Sequence, residues 1–150
     1  MATLYKILTA AHSGWRWIVL ILLVLAIFSA YRGWKKKAEF TPLDKKMAMF
    51  AMIAFHLQWT FGLILYFISP KVQFVEGFMK NSMLRFYGME HIVAMTIAFV
   101  LITIGYSKSK KVEDGAGKFK KIFVFYLIAF IIILASIPWP FREALGGSWF

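Results

Sequence analysis

The stretch WRWIVLILLVLAIFSAYRGW, residues 15–34, decides the fold. It carries no charge between Arg16 and Arg32. About 20 helical residues rising 1.5 Å each cross roughly 30 Å of hydrocarbon, so the stretch reads as a membrane span. A polar-flecked extension runs back to Leu4. Three further apolar runs follow, Met47–Ile68, Gly88–Tyr106 and Phe119–Trp139. With their helical flanks, the four spans are expected over residues 12–34, 47–68, 85–106 and 119–139.

Composition points the same way. The chain has 150 residues, 61% of them hydrophobic, where a soluble domain has about 45–50%. So small a globule cannot hide that much apolar surface. An aromatic content of 19% excludes disorder. No period-two alternation appears, which argues against a transmembrane barrel. There is no internal repeat and no sign of a second domain. The expected fold is all-α: one integral membrane domain over residues 1–150, an up-down-up-down four-helix bundle with short connections.

Local signals mark the ends of the spans. Thr41-Pro42-Leu43-Asp44 reads as a helix cap, a first-turn proline and an acidic first turn. Ser69-Pro70 ends the second span and Pro138-Trp139-Pro140 the fourth. Asn81-Ser82 caps the third, and residues 72–79 are expected along the interface. Residues 112–118 form a flexible turn of no chemical consequence. The first apolar run is full span length and lacks a small-residue cleavage site, so it does not read as a cleavable signal peptide.

A net charge of +11 would suggest nucleic acid in a soluble protein. In a membrane protein it reports orientation, because cytoplasmic loops collect Lys and Arg. The loop 32–46 holds Arg32, Lys35, Lys36, Lys37, Lys45 and Lys46. The loop 108–121 holds Lys108, Lys110, Lys111, Lys118, Lys120 and Lys121. Both are expected in the cytoplasm and both termini outside, in a bacterial inner membrane, with the lipid bilayer as the main partner and no nucleic acid. Trp15, Trp17, Trp139 and Trp149 then form an outer aromatic belt. The absence of cysteine excludes disulfides, iron–sulfur clusters, thiolate zinc sites and covalently linked haem.

Ionisable groups inside spans are costly and are functional candidates. Here they are His12, Arg16, His56, Glu90 and His91, with Gln58 as a neutral companion. All three histidines of the chain are among them. Measured from the cytoplasmic helix ends, His12 lies about 28 Å up, His91 about 22 Å and His56 about 15 Å. The first and third helices are diagonal in an up-down bundle, so His12 and His91 can face each other at similar height. Two such imidazoles ligate one haem iron without any cysteine. Small residues beside His91, namely Gly88, Ala94 and Ala98, would give a porphyrin a flat slot. Arg16 or Arg85 would pair with a propionate, and Glu90 would orient an imidazole or relay a proton. Each feature also has a plainer reading. Histidines tie helices together in lipid, small residues permit close helix packing, and Arg16 snorkels to headgroups. Met47, Met49 and Met52 fill the core.

His12-Ser-Gly-Trp-Arg-Trp17, His56-Leu-Gln58 and Glu90-His91 together resemble small four-helix cytochrome b-like membrane proteins of the cytochrome b561 and superoxide oxidase type. That resemblance implies haem b in a four-helix bundle and electron exchange with quinone, the chemistry of a quinol/haem b oxidoreductase. Two bis-histidine haems need four histidines, and this chain has three. The expectation is therefore one haem between His12 and His91, with His56 beside a second haem, a quinone or nothing; a His56–His91 pair is the rival. Two other functions stay open. One is an accessory subunit of a larger respiratory-type membrane complex or homo-oligomer. The other is a divalent-metal site from His12, His56, His91 and Glu90, spread over about 13 Å of depth. No phosphate loop and no hydrolase elbow is present.

Overall fold

The computed structural model describes residues 2–147 and residue 149. Its four long helices are α1 (Ala2–Lys36), α2 (Pro42–Ile68), α3 (Ser82–Ser109) and α4 (Gly115–Ser136). No strand is present among the described residues. Each helix is long and apolar enough to cross a membrane. Large apolar side chains such as Ile21, Phe28, Phe67 and Ile131 stay exposed on the bundle's outside. In water such a surface would be untenable, and in lipid it is ordinary. The protein is a multi-pass membrane protein.

The core uses the same spacing on every helix. Buried positions recur at alternating steps of three and four: Val19, Leu23, Ala26, Ala30 on α1; Ala48, Ala51, Phe55, Gln58 on α2; Ala98, Ile102, Gly105, Ser109 on α3; Phe119, Ile122, Tyr126, Ala129, Ile133 on α4. That step of about 3.5 residues keeps one stripe of a helix against its neighbours. Many of the inward residues are Ala or Gly, which lets backbones approach closely where hydrophobic attraction between helices is absent.

Side chains bound to main-chain carbonyls and hydroxyls tie the helices together in matched pairs. Trp15 Nε1 donates to the Ala54 carbonyl at 2.9 Å, and Ser29 donates to Asp44 at 3.1 Å, so α1 and α2 run in opposite directions. Trp59 to Thr96 and Tyr66 to the Gly88 carbonyl do the same for α2 and α3. Tyr126, fully buried, reaches across from α4 to the Ala48 carbonyl of α2 at 2.8 Å.

The helix ends follow their local chemistry. Thr41 and Asp44 form a reciprocal capping box, with Pro42 in the first turn. Asp114 accepts from the Gly117 N–H and caps α4. Asn81 accepts from the N–H groups of Met83 and Leu84 and caps α3. The helices extend beyond the apolar runs: α1 begins at residue 2, α2 at Pro42 and α3 at Ser82. Helical hydrogen bonding continues through polar residues once it is nucleated and capped. α4 stops at Ser136, short of Trp139, because Pro138 and Pro140 cannot continue it. Residues 72–77 form no helix, and a single short helical turn, Phe78–Lys80, precedes α3.

α3 and α4 approach closely at Gly105 of α3. A methyl group there would lie 2.5 Å from Phe125 Cβ on α4. Gly105→Val should therefore destabilise the bundle by about 1–3 kcal/mol through overpacking. Loss of helical circular dichroism on heating in detergent would show it, and an unchanged transition would refute the close contact.

Candidate functional site

His12 of α1 and His91 of α3 meet across the diagonal of the bundle. Their ring centres are 6.5 Å apart and the ring planes lie at 79°. His91 is positioned from both sides. Its own N–H reaches back five residues to the Phe86 carbonyl, closing a π turn over Phe86–Glu90 inside α3. Such turns add one residue to a helix and re-aim the side chains that follow. The His91 ring then donates from Nδ1 to the Ser136 carbonyl at 2.8 Å. A carbonyl only accepts, so Nδ1 carries the proton and Nε2 keeps its lone pair.

The Ser136 carbonyl is free for that bond because of Pro140. In a continuing helix it would accept from the N–H of residue 140, and proline has none. Pro138 frees the Leu134 carbonyl in the same way, and Trp139 Nε1 fills it at 2.9 Å. The Pro-Trp-Pro sequence thus ends α4 and also supplies the acceptor that holds His91.

His12 is approached closely by α2. A methyl on Gly62 would sit 3.0 Å from His12 Cε1, so this glycine makes room for the ring. Gln58 donates from Nε2 to the His12 carbonyl at 2.8 Å. His12 Nδ1 and Gln58 Oε1 are both shielded from solvent and have no hydrogen-bond partner.

Both histidines line a cavity of about 180 Å³ with Arg16, Gln58, Trp59, Gly62, Tyr66, Lys71 and Tyr87. Ile137, Pro138, Gly146 and Gly147 complete its wall from beyond α4. Those residues are pinned in place. Lys71 Nζ donates to the Gly146 carbonyl at 3.3 Å and Tyr87 to the Leu145 carbonyl at 3.0 Å. Arg16 and the Trp17 indole both donate to the Trp149 carbonyl, at 2.7 and 3.2 Å, and Trp17 stacks on Trp149. The lining is mostly apolar, with a few convergent polar groups, the usual make-up of a small-molecule site.

The remaining sequence candidates lie elsewhere. His56 points to α3, where its Nε2 meets Thr103 Oγ1 at 2.9 Å and its ring stacks on Phe99 at 4.2 Å. The Thr103 hydroxyl already donates to the Phe99 carbonyl, so His56 is the donor. It links two helices and does not line the cavity. Arg85 and Glu90 pair with each other at 2.6 Å on the exposed side. Gly88 gives its carbonyl to Tyr66 and faces Phe74 and Phe78, while Ala98 is buried in the helix core. The expected slot of Gly88, Ala94 and Ala98 is therefore not part of the cavity. For Gly88 the π turn is the reason: with bonds closing five residues back, its spacing of three from His91 no longer shares a face, while Ala94 and Ala98 lie beyond that turn. Among the described residues no three His, Asp or Glu side chains converge, so the divalent-metal site from His12, His56, His91 and Glu90 does not form.

Comparison with protein-family models, with curated proteins and with solved structures finds no match for this chain. Its site has to be read from its own geometry. That geometry makes a direct prediction about Gly62. Gly62→Val should displace the His12 ring, seen as a large change in the His12 side-chain NMR signals and a stability loss of about 1–3 kcal/mol. Gly14→Val is the control, since a Cβ there meets nothing within 4 Å. Equal effects from the two variants would refute the packing of Gly62 on His12.

Proposed function

We propose that the protein is a haem b-binding electron-transfer protein of the bacterial inner membrane, exchanging electrons with quinone or with a partner complex. The observation that carries this reading is the His12–His91 pair. Two metal–nitrogen bonds of about 2 Å each, added to the inner radii of two imidazoles, separate the ring centres by about 6 Å. The rings stand at 6.5 Å. The proton of His91 Nδ1 is held by a backbone carbonyl, the arrangement that metal-ligating histidines adopt because it fixes the tautomer and raises ligand basicity. Haem bound by two imidazoles supplies one-electron transfer between ferric and ferrous iron.

This chain's residues have distinct parts in that reading. His12 and His91 would hold the haem iron. Arg16, which also holds the Trp149 carbonyl, lines the same cavity and would turn its guanidinium to a propionate carboxylate, whereas Arg85 pairs with Glu90 away from the cavity lining. The cavity, about 180 Å³, is smaller than the roughly 300–1,000 Å³ that encloses a drug-sized ligand. Seating a macrocycle therefore requires lining side chains to swing aside, and Met95, flexible and unbranched, is suited to it. Phe55, Leu20 and Ile133 seal the inner end against water.

The orientation belongs to the same proposal: up-down-up-down, with the cationic connections at residues 32–46 and 108–121 in the cytoplasm and both chain ends outside. The cavity then opens toward the outer half of the bilayer. The chain lacks cysteine, so single cysteines can be placed freely. In intact spheroplasts a membrane-impermeant maleimide should label Glu76→Cys and spare Glu39→Cys until the membrane is broken. The reverse pattern would invert the orientation.

For haem, protein expressed with haem supplied should give a dithionite-reduced minus oxidised spectrum with a low-spin b-type α-band. His12→Ala and His91→Ala should each abolish it, and His56→Ala should keep it. A wild-type protein without the band would sink the proposal. Loss of the band in His56→Ala and His91→Ala, with the band kept in His12→Ala, would move the ligands to the rival pair.

A further inference from the structure

Gln58 is held at one end and open at the other. Its Nε2 donates to the His12 carbonyl, which settles the amide's orientation, since a carbonyl accepts a hydrogen bond and cannot donate one. Oε1 is therefore the free end. The residue is 7% exposed, and Oε1 is shielded from solvent without a partner. On the same stretch of α1, His12 Nδ1 is shielded and without a partner as well. Both side chains line the one cavity. An acceptor and a ring nitrogen, both orphaned on tethered residues, are complementary.

We propose that Gln58 is the positioning residue of His12: its amide oxygen accepts the His12 Nδ1 proton across one bridging water, and so turns the His12 Nε2 lone pair toward His91. The proposal rests on the reading of His12 and His91 as a ligand pair. It gives the two imidazoles equivalent supports by different means. His91 uses the Ser136 carbonyl, which Pro140 leaves without a helical donor. His12 Nδ1 forms no hydrogen bond to a main-chain carbonyl, which leaves it open to an acceptor from a neighbouring side chain. Gln58, a turn from Gly62 on the helix face that meets His12, is placed to supply it. A neutral amide raises imidazole basicity less than a carboxylate would, so residue 58 also sets how strongly His12 favours ferric over ferrous iron.

The test has two arms on the full chain. In the first, nitrogen-15 NMR of the haem-free protein in lipid reads the His12 tautomer. Wild type should show the proton on Nδ1. Gln58→Leu, which removes the acceptor, should move it to Nε2 or to a mixture, and Gln58→Glu, which keeps an oxygen there, should restore Nδ1. In the second, optical redox titration of the haem-loaded protein should give a higher midpoint potential for Gln58→Leu and a lower one for Gln58→Glu. Each tenfold change in the ferric-to-ferrous affinity ratio reads as about 59 mV. A wild-type His12 protonated on Nε2, or a tautomer and potential that ignore both substitutions, would overturn the proposal. Failure to take up haem with the tautomer pattern intact would overturn the haem reading and leave the role of Gln58 supported.

Discussion

Hydrocarbon offers no hydrogen bonds, and most of this structure answers to that constraint. Inside the bundle, polar side chains settle on main-chain carbonyls of neighbouring helices: Trp15 on Ala54, Gln58 on His12, Tyr126 on Ala48. These carbonyls already serve their own helices and use a second lone pair for the cross-link. Each such bond fixes a relative height between two helices that greasy packing alone would leave free to slide. The diagonal meeting of His12 and His91 depends on those heights, because it joins helices that are not sequence neighbours.

The four spans were legible because an uncharged stretch of span length has few other uses in a protein, and Thr41-Pro42-Asp44 was legible because capping is local chemistry. The meeting of two histidines from α1 and α3 followed from counting residues up from the cationic connections. The inward stripe on each helix was not legible. Its residues are largely Ala, Gly and Ile, surrounded by lipid-facing residues just as apolar, so no contrast marks the buried face. The same lack of contrast hid Gly62, whose role is to be absent where a ring needs space.

The neighbourhood of His91 was misread for a definite reason. Gly88 was placed beside it by helical spacing, and the π turn at Phe86–Glu90 breaks that spacing just before the histidine. The support that His91 does receive comes from a backbone carbonyl 45 positions later. A main-chain acceptor leaves no signature at its own position, since every residue has one. The usable signal sat at Pro140, which deprives the Ser136 carbonyl of its donor, and at Pro138, which does the same for Leu134. The prolines had been read as stops for a helix, and they are also a means of exposing acceptors. Gln58 was noticed as a polar companion, but its free oxygen could be assigned only once its other end was seen to be occupied.

The residues beyond α4 contribute Ile137, Pro138, Gly146 and Gly147 to the wall of the cavity, held there by Lys71, Tyr87, Arg16 and Trp17. A ribosome makes them after all four helices. The wall of the chamber around the two histidines is thus completed on that side only after all four helices have been made. The order in which the chain is made becomes part of how the cavity is assembled.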